Sequence, residues 1–496
     1  MSQSTSRFLR FFSPFIRAMP EIRTPDREVS FKEKIIWTAL ALIIYLVMSN
    51  IPLYGVSIQQ TEDYFYWLRV ILASQRGTLT ELGIGPIVTA GLIMQLLMGS
   101  GIIKINMADP YDRSMFTGAQ KILAMFLTVF NTVAYLFGGA FGSLEEIGPA
   151  AVIFIFLQLF FSGMIIILLD EMLQKGWGIG SGVSLFIAAG IAGQVFWNCF
   201  SFVEMTGENY DNMPRGIVIA FFKAIINPAD SVPIGDLWLR PSNLPGLLSI
   251  ITTIGIFIMV VYFESVNIEI PLAYSGYRGF QGKYPIKLLY VSNIPVILVS
   301  ALYANILFLG QIIAGPNSAL RGVIPDFLLN VIASYADDPT ATGPGGSYLN
   351  PIGGILYLMT PPQGFESVLG DPLRALIYLG IFIVFCVIFG RVWVEVSGLA
   401  PRDIAGQIID SGMEIPGFRR SEKIIERILA RYIPTLTILC GIIVGFLSFT
   451  SDALGALSSG TGLLIAIGII HQYAETISKE AAAEQYPALR GFLGLD

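Results

Sequence analysis

The sequence has few of the groups on which soluble enzymes depend. Only 13% of its 496 residues are charged, it has three cysteines, and His471 is its single histidine. One histidine excludes a multi-histidine metal site, and three scattered cysteines form neither a disulfide framework nor a metal-binding spacing. There is also no Walker motif for ATP and no catalytic constellation of nucleophile and base. We therefore predict that the chain is not an enzyme and binds no cofactor.

The chain consists mainly of long hydrophobic stretches. Hydrophobic residues make up 54% of it and the mean hydropathy is +0.68, which excludes a soluble globular protein and is typical of a polytopic membrane protein. We predict ten membrane spans in the apolar stretches 35–51, 86–103, 122–141, 149–169, 179–202, 247–263, 288–313, 373–394, 433–449 and 454–474.

The positions of lysine and arginine orient these spans. With the N-terminus in the cytoplasm, most of the 30 Lys and Arg residues fall in cytoplasmic segments, as the positive-inside rule requires. The predicted outer segments hold only Arg69, Arg76, Arg215, Lys223, Arg240, Arg321 and Arg374. The long outer segment 203–246 leaves five spans on each side. Because five is odd, two duplicated halves would be inverted in the membrane.

We therefore predict an all-α polytopic membrane protein whose ten transmembrane helices form two inverted five-helix halves around a central pore. Residues 1–34 are expected to form a cytoplasmic segment, either a solvated tail or an amphipathic helix on the membrane. The N-terminal half is 35–202, and 203–246 is an external loop. The C-terminal half is 247–474, with cytoplasmic loops at 264–287 and 395–432, and 475–496 is a cytoplasmic tail.

The segment 77–103 indicates a pathway. Its apolar run begins on a Gly-Ile-Gly-Pro break, and the preceding residues 64–82 carry too many charges to span. Such broken backbone survives at membrane depth only where protein or a water-filled cavity covers it. The polar residues in the middle of the spans are neutral, unlike the ionisable groups that ion-driven transporters place there. These features favour a passive conduit whose energy comes from a partner.

Four long motifs are more specific. They are WLRVILASQRGTLTELGIGPIVTAGLIMQLL, LDEMLQKGWGIGSGVSLFIAAGI, GKYPIKLLYVSNIPVIL and GTGLLIAIGII. In this order they resemble the SecY family, the large subunit of the protein-conducting channel, which is called the alpha subunit of the translocon in the endoplasmic reticulum. IPLYG, YWLR and APRDIAGQ lean towards the eukaryotic form, whereas IVTAGLIMQLLMGSGII and SLFIAAGIA lean towards the archaeal one. The archaeal plasma membrane is favoured, and the endoplasmic reticulum membrane is the alternative.

The resemblance implies a channel that passes unfolded polypeptides across the membrane and releases transmembrane segments laterally into lipid. Its waist would be a ring of apolar side chains, which by motif are Ile84, Val88, Val183, Ile187, Ile297 and Ile465. A plug near 64–79 would close the outer funnel with Tyr64, Trp67, Leu68, Ile71 and Leu72. A lateral gate for signal sequences would lie between spans two and three on one side and seven and eight on the other. Its polar cluster would be Thr89, Gln120 and Asn305.

The two cytoplasmic loops are basic, and anionic lipid is the commoner reason for such charge. The resemblance instead implies that they dock the ribosome with its nascent chain, partly through ribosomal RNA. The docking residues would be Arg278, Lys283, Arg402, Arg419 and Arg420. It also implies a heterotrimer with a SecE/gamma-type subunit that clamps the halves and a peripheral SecG/beta-type subunit.

Two alternatives come from other classes. A small-solute secondary transporter with inverted repeats would also have broken helices, but the lack of mid-membrane charge counts against it. A non-conducting assembly scaffold would fit the composition, but it needs neither a plug nor an apolar ring.

Overall fold

Within the residues that the structure describes, the chain folds into ten long helices, as the sequence predicts. The computed structural model describes residues 13–16, 19–27, 29–56, 69, 72–103, 110–137, 141, 148–205, 213–226, 233, 235–240, 244–274, 281–291, 294–314, 324–334, 351–362, 364–410, 413–414 and 421–485. The long helices are α1 (Phe31–Met48), α2 (Gly85–Gly99), α3 (Pro110–Phe137), α4 (Pro149–Met172), α5 (Gly182–Phe200), α6 (Leu247–Ser265), α7 (Ile294–Ala314), α8 (Pro372–Val396), α9 (Glu422–Ala453) and α10 (Gly460–Gln485).

The helices extend beyond the predicted spans at several ends. α3 begins at Pro110 rather than at 122, and α9 begins at Glu422 rather than at 433. Both extensions bury apolar residues on one face, such as Met115 in α3 and Ile425 in α9. Hydropathy finds only the fully apolar part of a helix, so it misses such amphipathic extensions.

Six helices within the described part of the chain are long and apolar enough to cross a membrane by composition alone. They are α3, α4, α5, α6, α8 and α9. α2 and the part Ile294–Gly310 of α7 are apolar as well, but each is shorter than 18 residues. α1 falls outside the six because it begins with Lys32, Glu33 and Lys34, and α10 because it turns polar at His471.

The connections contain short helices and strands. The helices are Ile217–Ile226, Asp326–Ile332, Gly354–Met359, Gly364–Gly370 and Pro401–Asp410, and a π-helical turn covers Leu173–Trp177. The strands are β1 (Glu204–Met205), β2 (Met213–Pro214), β3 (Asn267–Tyr274), β4 (Gln281–Lys287) and β5 (Met413–Glu414). β1 and β2 pair antiparallel, and the other three form a sheet in the order β4-β3-β5. This sheet joins the two predicted cytoplasmic loops, since β3 and β4 come from one and β5 from the other.

Each half has an aspartate at an equivalent position, near the end of its fourth helix. Near the end of α4, Asp170 Oδ1 accepts a hydrogen bond from the backbone N–H of Val183 at 3.0 Å, in the first turn of α5. Near the end of α9, Asp452 Oδ1 accepts one from the N–H of Gly460 at 2.6 Å, the first residue of α10. The fourth helix of each half therefore caps the fifth with an aspartate, which satisfies N–H groups that a helix start leaves unpaired.

Helices α8 and α9 pack closely through a small-residue stripe. A Cβ atom on Gly441 would lie 2.9 Å from Val387 Cγ2, and one on Gly445 would lie 2.8 Å from Ile383 Cγ1. Membrane helices gain little from hydrophobicity when they associate, because lipid is as apolar as their side chains. Glycines four residues apart instead allow the two backbones to approach, and this contact holds the C-terminal half together.

The described part of the N-terminal segment lies across α3 and α4. Lys175 Nζ donates to Glu21 Oε1 at 2.6 Å, and Trp177 Nε1 donates to the Arg23 carbonyl at 2.8 Å. Ile16 packs against the apolar cluster of α2 and α3. The hydrogen bond from Lys175 lowers the pKa of Glu21. The segment thus packs on protein, a placement that neither sequence interpretation included.

Candidate pore and lateral gate

The six residues of the predicted ring lie in one apolar cluster to which both halves contribute. They are Ile84, beside the start of α2; Val88 in α2; Val183 and Ile187 in α5; Ile297 in α7; and Ile465 in α10. Ile84, Ile187 and Ile465 are fully buried, and Val88 is 9% exposed. Val183 and Ile297 are half-buried and pack against the same cluster. The six therefore share one large apolar cluster, and both their arrangement as a ring and their role as a seal stay predictions.

A tight turn positions the N-terminal part of this set. Gly83 has a φ of +52°, and a Cβ atom there would lie 2.2 Å from the Leu72 carbonyl oxygen, so only glycine fits. Ile84 N donates to the same carbonyl at 2.8 Å. α2 then starts with Pro86 in its first turn, where the missing N–H leaves no intrahelical bond unmade. α7 likewise has Pro295 in its first turn.

The predicted gate contains a direct contact between the halves. Asn305 Nδ2 of α7 donates to Thr89 Oγ1 of α2 at 2.9 Å, and also to the Ala301 carbonyl at 2.6 Å. The rings of Tyr135 in α3 and Phe308 in α7 stack with centroids 4.8 Å apart. α2 and α3 therefore meet α7 through one polar pair and one aromatic pair, as a closed seam between the halves requires.

A small cavity of about 40 Å³ lies beside the Asn305–Thr89 bond. It has room for water, and its polar lining supplies partners for it. Asn131 of α3 is part of that lining, whereas Gln120 is not. Gln120 lies beside Gly91, where an added Cβ would be 3.1 Å from its Nε2. Asn131, which the motif comparison did not select, thus lines the same cavity as Thr89 and Asn305.

The described part of the predicted plug is held by buried polar contacts with its own end and with α1. Arg69 Nη1 contacts Glu81 Oε1 at 2.5 Å, and the two side chains are 9% and 1% exposed. Gly77 N donates to the other carboxylate oxygen of Glu81. Tyr45 Oη of α1 donates to the Ala73 carbonyl at 2.6 Å. Sequence reasoning used Arg69 and Glu81 only as residues that interrupt a span, although a buried pair of opposite charges is what makes their burial tolerable.

Most of the predicted plug residues lie outside the described residues. This applies to Tyr64, Trp67, Leu68 and Ile71. Leu72 is described; it is half-buried and lines the cavity beside the Asn305–Thr89 bond.

Only some of the predicted docking residues lie within the described residues. Arg278, Arg419 and Arg420 lie outside the described residues, and Lys283 belongs to β4. Arg402 is exposed at the start of the helix Pro401–Asp410, whose Ile404 and Ile408 are buried. The pairing of Tyr274 in β3 with Met413 in β5 brings together the chain segments that lead to Arg278 and Arg419.

A family model described as SecY matches residues 78–474, and one described as the plug domain of Sec61p matches 43–77. The chain belongs to the SecY family. A solved structure described as that of a protein conducting channel is 38% identical, with a TM-score of 0.78 over 96% of this chain and 99% of the other. Canine Sec61, in a ribosome–channel complex from the endoplasmic reticulum, is 37% identical, with a TM-score of 0.75 and the same coverage.

A third structure, of a SecY protein, is 37% identical and covers 96% of this chain and 99% of that one, with a TM-score of 0.76. Its description says that the plug domain stabilises the closed state and maintains a membrane seal. As a SecY-family member, the chain is a multi-pass membrane protein and the pore-forming subunit of a protein translocation channel. The comparisons do not support the small-solute transporter.

Proposed function

We propose that unfolded polypeptide crosses this channel between residues 35–202 and 247–474, through the ring of Ile84, Val88, Val183, Ile187, Ile297 and Ile465. The observation that carries the proposal is the shared apolar cluster, in which three of these side chains are fully buried although they come from separate helices. Such a constriction has no group that could replace the water around an ion, so it excludes ions by staying dry. It can still widen, because aliphatic side chains form no fixed bonds with each other.

In this proposal the plug near 64–79 covers the ring in the closed channel. Leu72 supports the assignment, because its carbonyl accepts the N–H of the ring residue Ile84. The Arg69–Glu81 pair closes the other end of the same segment. Movement of the plug would break these bonds, so the pair keeps the resting channel shut.

The seam between α2 and α7 is proposed as the exit to lipid. An apolar segment of about 20 residues prefers lipid by a few tenths of a kcal/mol for each favourable residue. The Asn305–Thr89 contact makes the closed seam partly polar, so an apolar signal sequence can compete for it. The proposal includes Gln120 in the same gate, nearer the other end of α3, and Asn131 beside the contact.

Replacing both Thr89 and Asn305 with leucine is expected to stabilise the closed seam by about 1–2 kcal/mol. One polar contact worth about 0.6 kcal/mol is lost, and two leucine side chains fill the adjacent cavity and add van der Waals contacts across the seam. Signal sequences of low hydrophobicity should then be exported poorly, while strongly hydrophobic ones should be exported almost normally. Export of a reporter with graded signal sequences measures this difference.

A matched control removes a polar pair elsewhere. Ser458 Oγ, in the connection between α9 and α10, donates to Gln194 Oε1 of α5 at 2.7 Å, and neither residue belongs to a gate helix. Changing Gln194→Leu and Ser458→Ala should not distinguish between the two classes of signal sequence. An equal loss of export for both classes in the Thr89 and Asn305 variant would indicate misfolding rather than altered gating.

The ribosome and its nascent chain are proposed as the cytoplasmic partner, bound through Arg278, Lys283, Arg402, Arg419 and Arg420. The joined β3–β4–β5 sheet supports this, because it holds both basic loops on one platform. We also propose SecE/gamma-type and SecG/beta-type partner subunits, and contacts with signal sequences and membrane lipid. The archaeal plasma membrane is the proposed location, and the endoplasmic reticulum membrane is the alternative; immunolabelling of the source cells decides between them.

Replacing Arg278, Arg402, Arg419 and Arg420 with glutamate is expected to weaken ribosome binding strongly. Each contact with a phosphate releases counterions, so wild-type binding should also fall steeply with salt. Co-sedimentation of the purified channel complex with ribosomes at two salt concentrations measures both effects. The control is Lys223→Glu, a charge reversal at the opposite end of the bundle from the β3–β4 hairpin. Unchanged binding of the four-residue variant would show that these loops do not dock the ribosome.

A further inference from the structure

An apolar surface lies on the loop 203–246, at the end of the bundle opposite the three-stranded sheet. We propose that the helix Ile217–Ile226 and Trp238 lie in the interfacial region of the adjacent membrane leaflet, so that this loop is anchored to lipid. The occupant of the exposed apolar face is therefore the membrane surface.

The helix is apolar apart from one lysine. Its sequence is IVIAFFKAII, in which Lys223 is the only charged residue. One face, which includes Ala220 and Ala224, is buried against Leu237. A helix that is hydrophobic all round is ordinarily enclosed by protein or by lipid. The described residues of the chain cover only one face, so the proposal places a second apolar phase, lipid, on the other.

The uncovered face consists of large side chains. Phe222 is 55% exposed, Ile225 is 52% exposed and Ile226 is 72% exposed. Trp238 and Leu239, beside the buried Leu237, are exposed as well. Tryptophan and phenylalanine are the residues that interfacial segments place at the boundary between headgroups and acyl chains.

The backbone places this surface at the level where two membrane helices end. Gly216 N, just before the helix, donates to the carbonyl of Ser201, the residue that follows α5, at 3.0 Å. Leu247 N, the first residue of α6, donates to the carbonyl of Leu237 at 2.9 Å. Phe202, between α5 and β1, is 77% exposed. The apolar face therefore lies beside the end of α5 and the start of α6.

Two cations in the described part of the loop have partners within the loop. Lys223 Nζ forms an ion pair with Glu204 Oε1 at 3.1 Å. Arg240 is buried and donates to the carbonyls of Pro214 at 3.1 Å and Pro245 at 3.3 Å. It thereby connects the segment before the helix Ile217–Ile226 to the segment before α6. The exposed side chains of the described face are apolar, which suits an interfacial anchor at a depth of about 5–10 Å.

Site-directed spin labelling tests the proposal on the intact channel complex in lipid nanodiscs. In a Cys199→Ala background, which removes the half-buried thiol and leaves two buried ones, single cysteines replace Ile226, Phe222 or, as a control on the same helix, Lys223. We expect labels at Ile226 and Phe222 to collide mainly with oxygen, at a depth of about 5–10 Å. The label at Lys223 should collide mainly with a water-soluble nickel reagent.

Two results would overturn the proposal. Labels that are equally accessible to the nickel reagent at all three positions would place the helix in water. Labels at Ile226 and Phe222 that are protected from both reagents would place protein, not lipid, on the face. A second measurement needs no cysteine: lipids brominated on the upper acyl chain should quench the fluorescence of the unmodified complex more than that of a Trp238→Phe variant. Equal quenching would contradict the placement of Trp238.

Discussion

Replacing Ile187 and Ile465 together with serine is expected to make the resting channel leak small ions. Both side chains are fully buried in the cluster that joins the halves. A hydroxyl can donate and accept hydrogen bonds, so serine admits water into a constriction that aliphatic side chains keep dry. The measurement is ion flux from vesicles that contain the purified channel complex and no substrate.

Two controls separate sealing from general damage to the core. Ile187→Val with Ile465→Leu largely keeps volume and apolarity, so the seal should remain nearly intact. Ile155→Ser places the same polar group at a fully buried position of a different cluster, in α4. It should lower stability without opening an ion path. If the Ile187 and Ile465 serine variant leaks no more than wild type while it still exports protein, the plug alone is the seal.

The Arg69–Glu81 pair leads to the second large effect. Glu81→Gln keeps the shape of the side chain and an oxygen that can accept from Gly77, but it removes the negative charge beside a guanidinium that is only 8% exposed. Removing one partner of a buried ion pair costs about 3–5 kcal/mol. The closed arrangement should therefore lose stability, and the channel should leak ions and accept defective signal sequences.

The matched control is the double variant Arg69→Met with Glu81→Gln. It removes both charges and keeps an apolar side chain of similar length at residue 69. Replacing both members of a buried pair is often close to neutral, so the closed channel should recover most of its stability. Ion flux and export of a reporter with a weakened signal sequence measure both variants. Equal defects in the single and double variants would mean that the charge pair does not hold the plug segment.

Counting lysines and arginines predicts the orientation of the spans, but it does not explain the few arginines on the predicted outer side. The positive-inside rule gives no reason why those few are retained. Arg69, Arg240 and Arg374 are all buried. Arg374 donates to the Tyr357 carbonyl at 3.0 Å and Arg240 to backbone carbonyls, while Arg69 pairs with Glu81. Their partners lie in other parts of the chain, so no local pattern could identify them.

The predicted polar cluster of the gate shows a second kind of contact that the sequence does not predict. Gln120 and Asn131 both belong to α3, and they are about 16 Å apart along its axis, or three turns. Three turns return to nearly the same face, so sequence periodicity does not distinguish the two residues. Only the depth at which α3 packs beside α2 and α7 brings Asn131 to the cavity and leaves Gln120 beside Gly91.

The sequence by itself determined the ten helices, the orientation that its charges favour, the break before α2 and the family. These follow from local properties, because apolar length, charge and a Gly-Pro turn act on neighbouring residues. Tertiary structure alone decided the Asn305–Thr89 contact, the Arg69–Glu81 pair and the uncovered face of the helix Ile217–Ile226. The physical reason is that lipid is as apolar as the interior of the bundle. A membrane helix therefore looks the same in sequence whichever side faces protein, and only packing sets its rotation and depth.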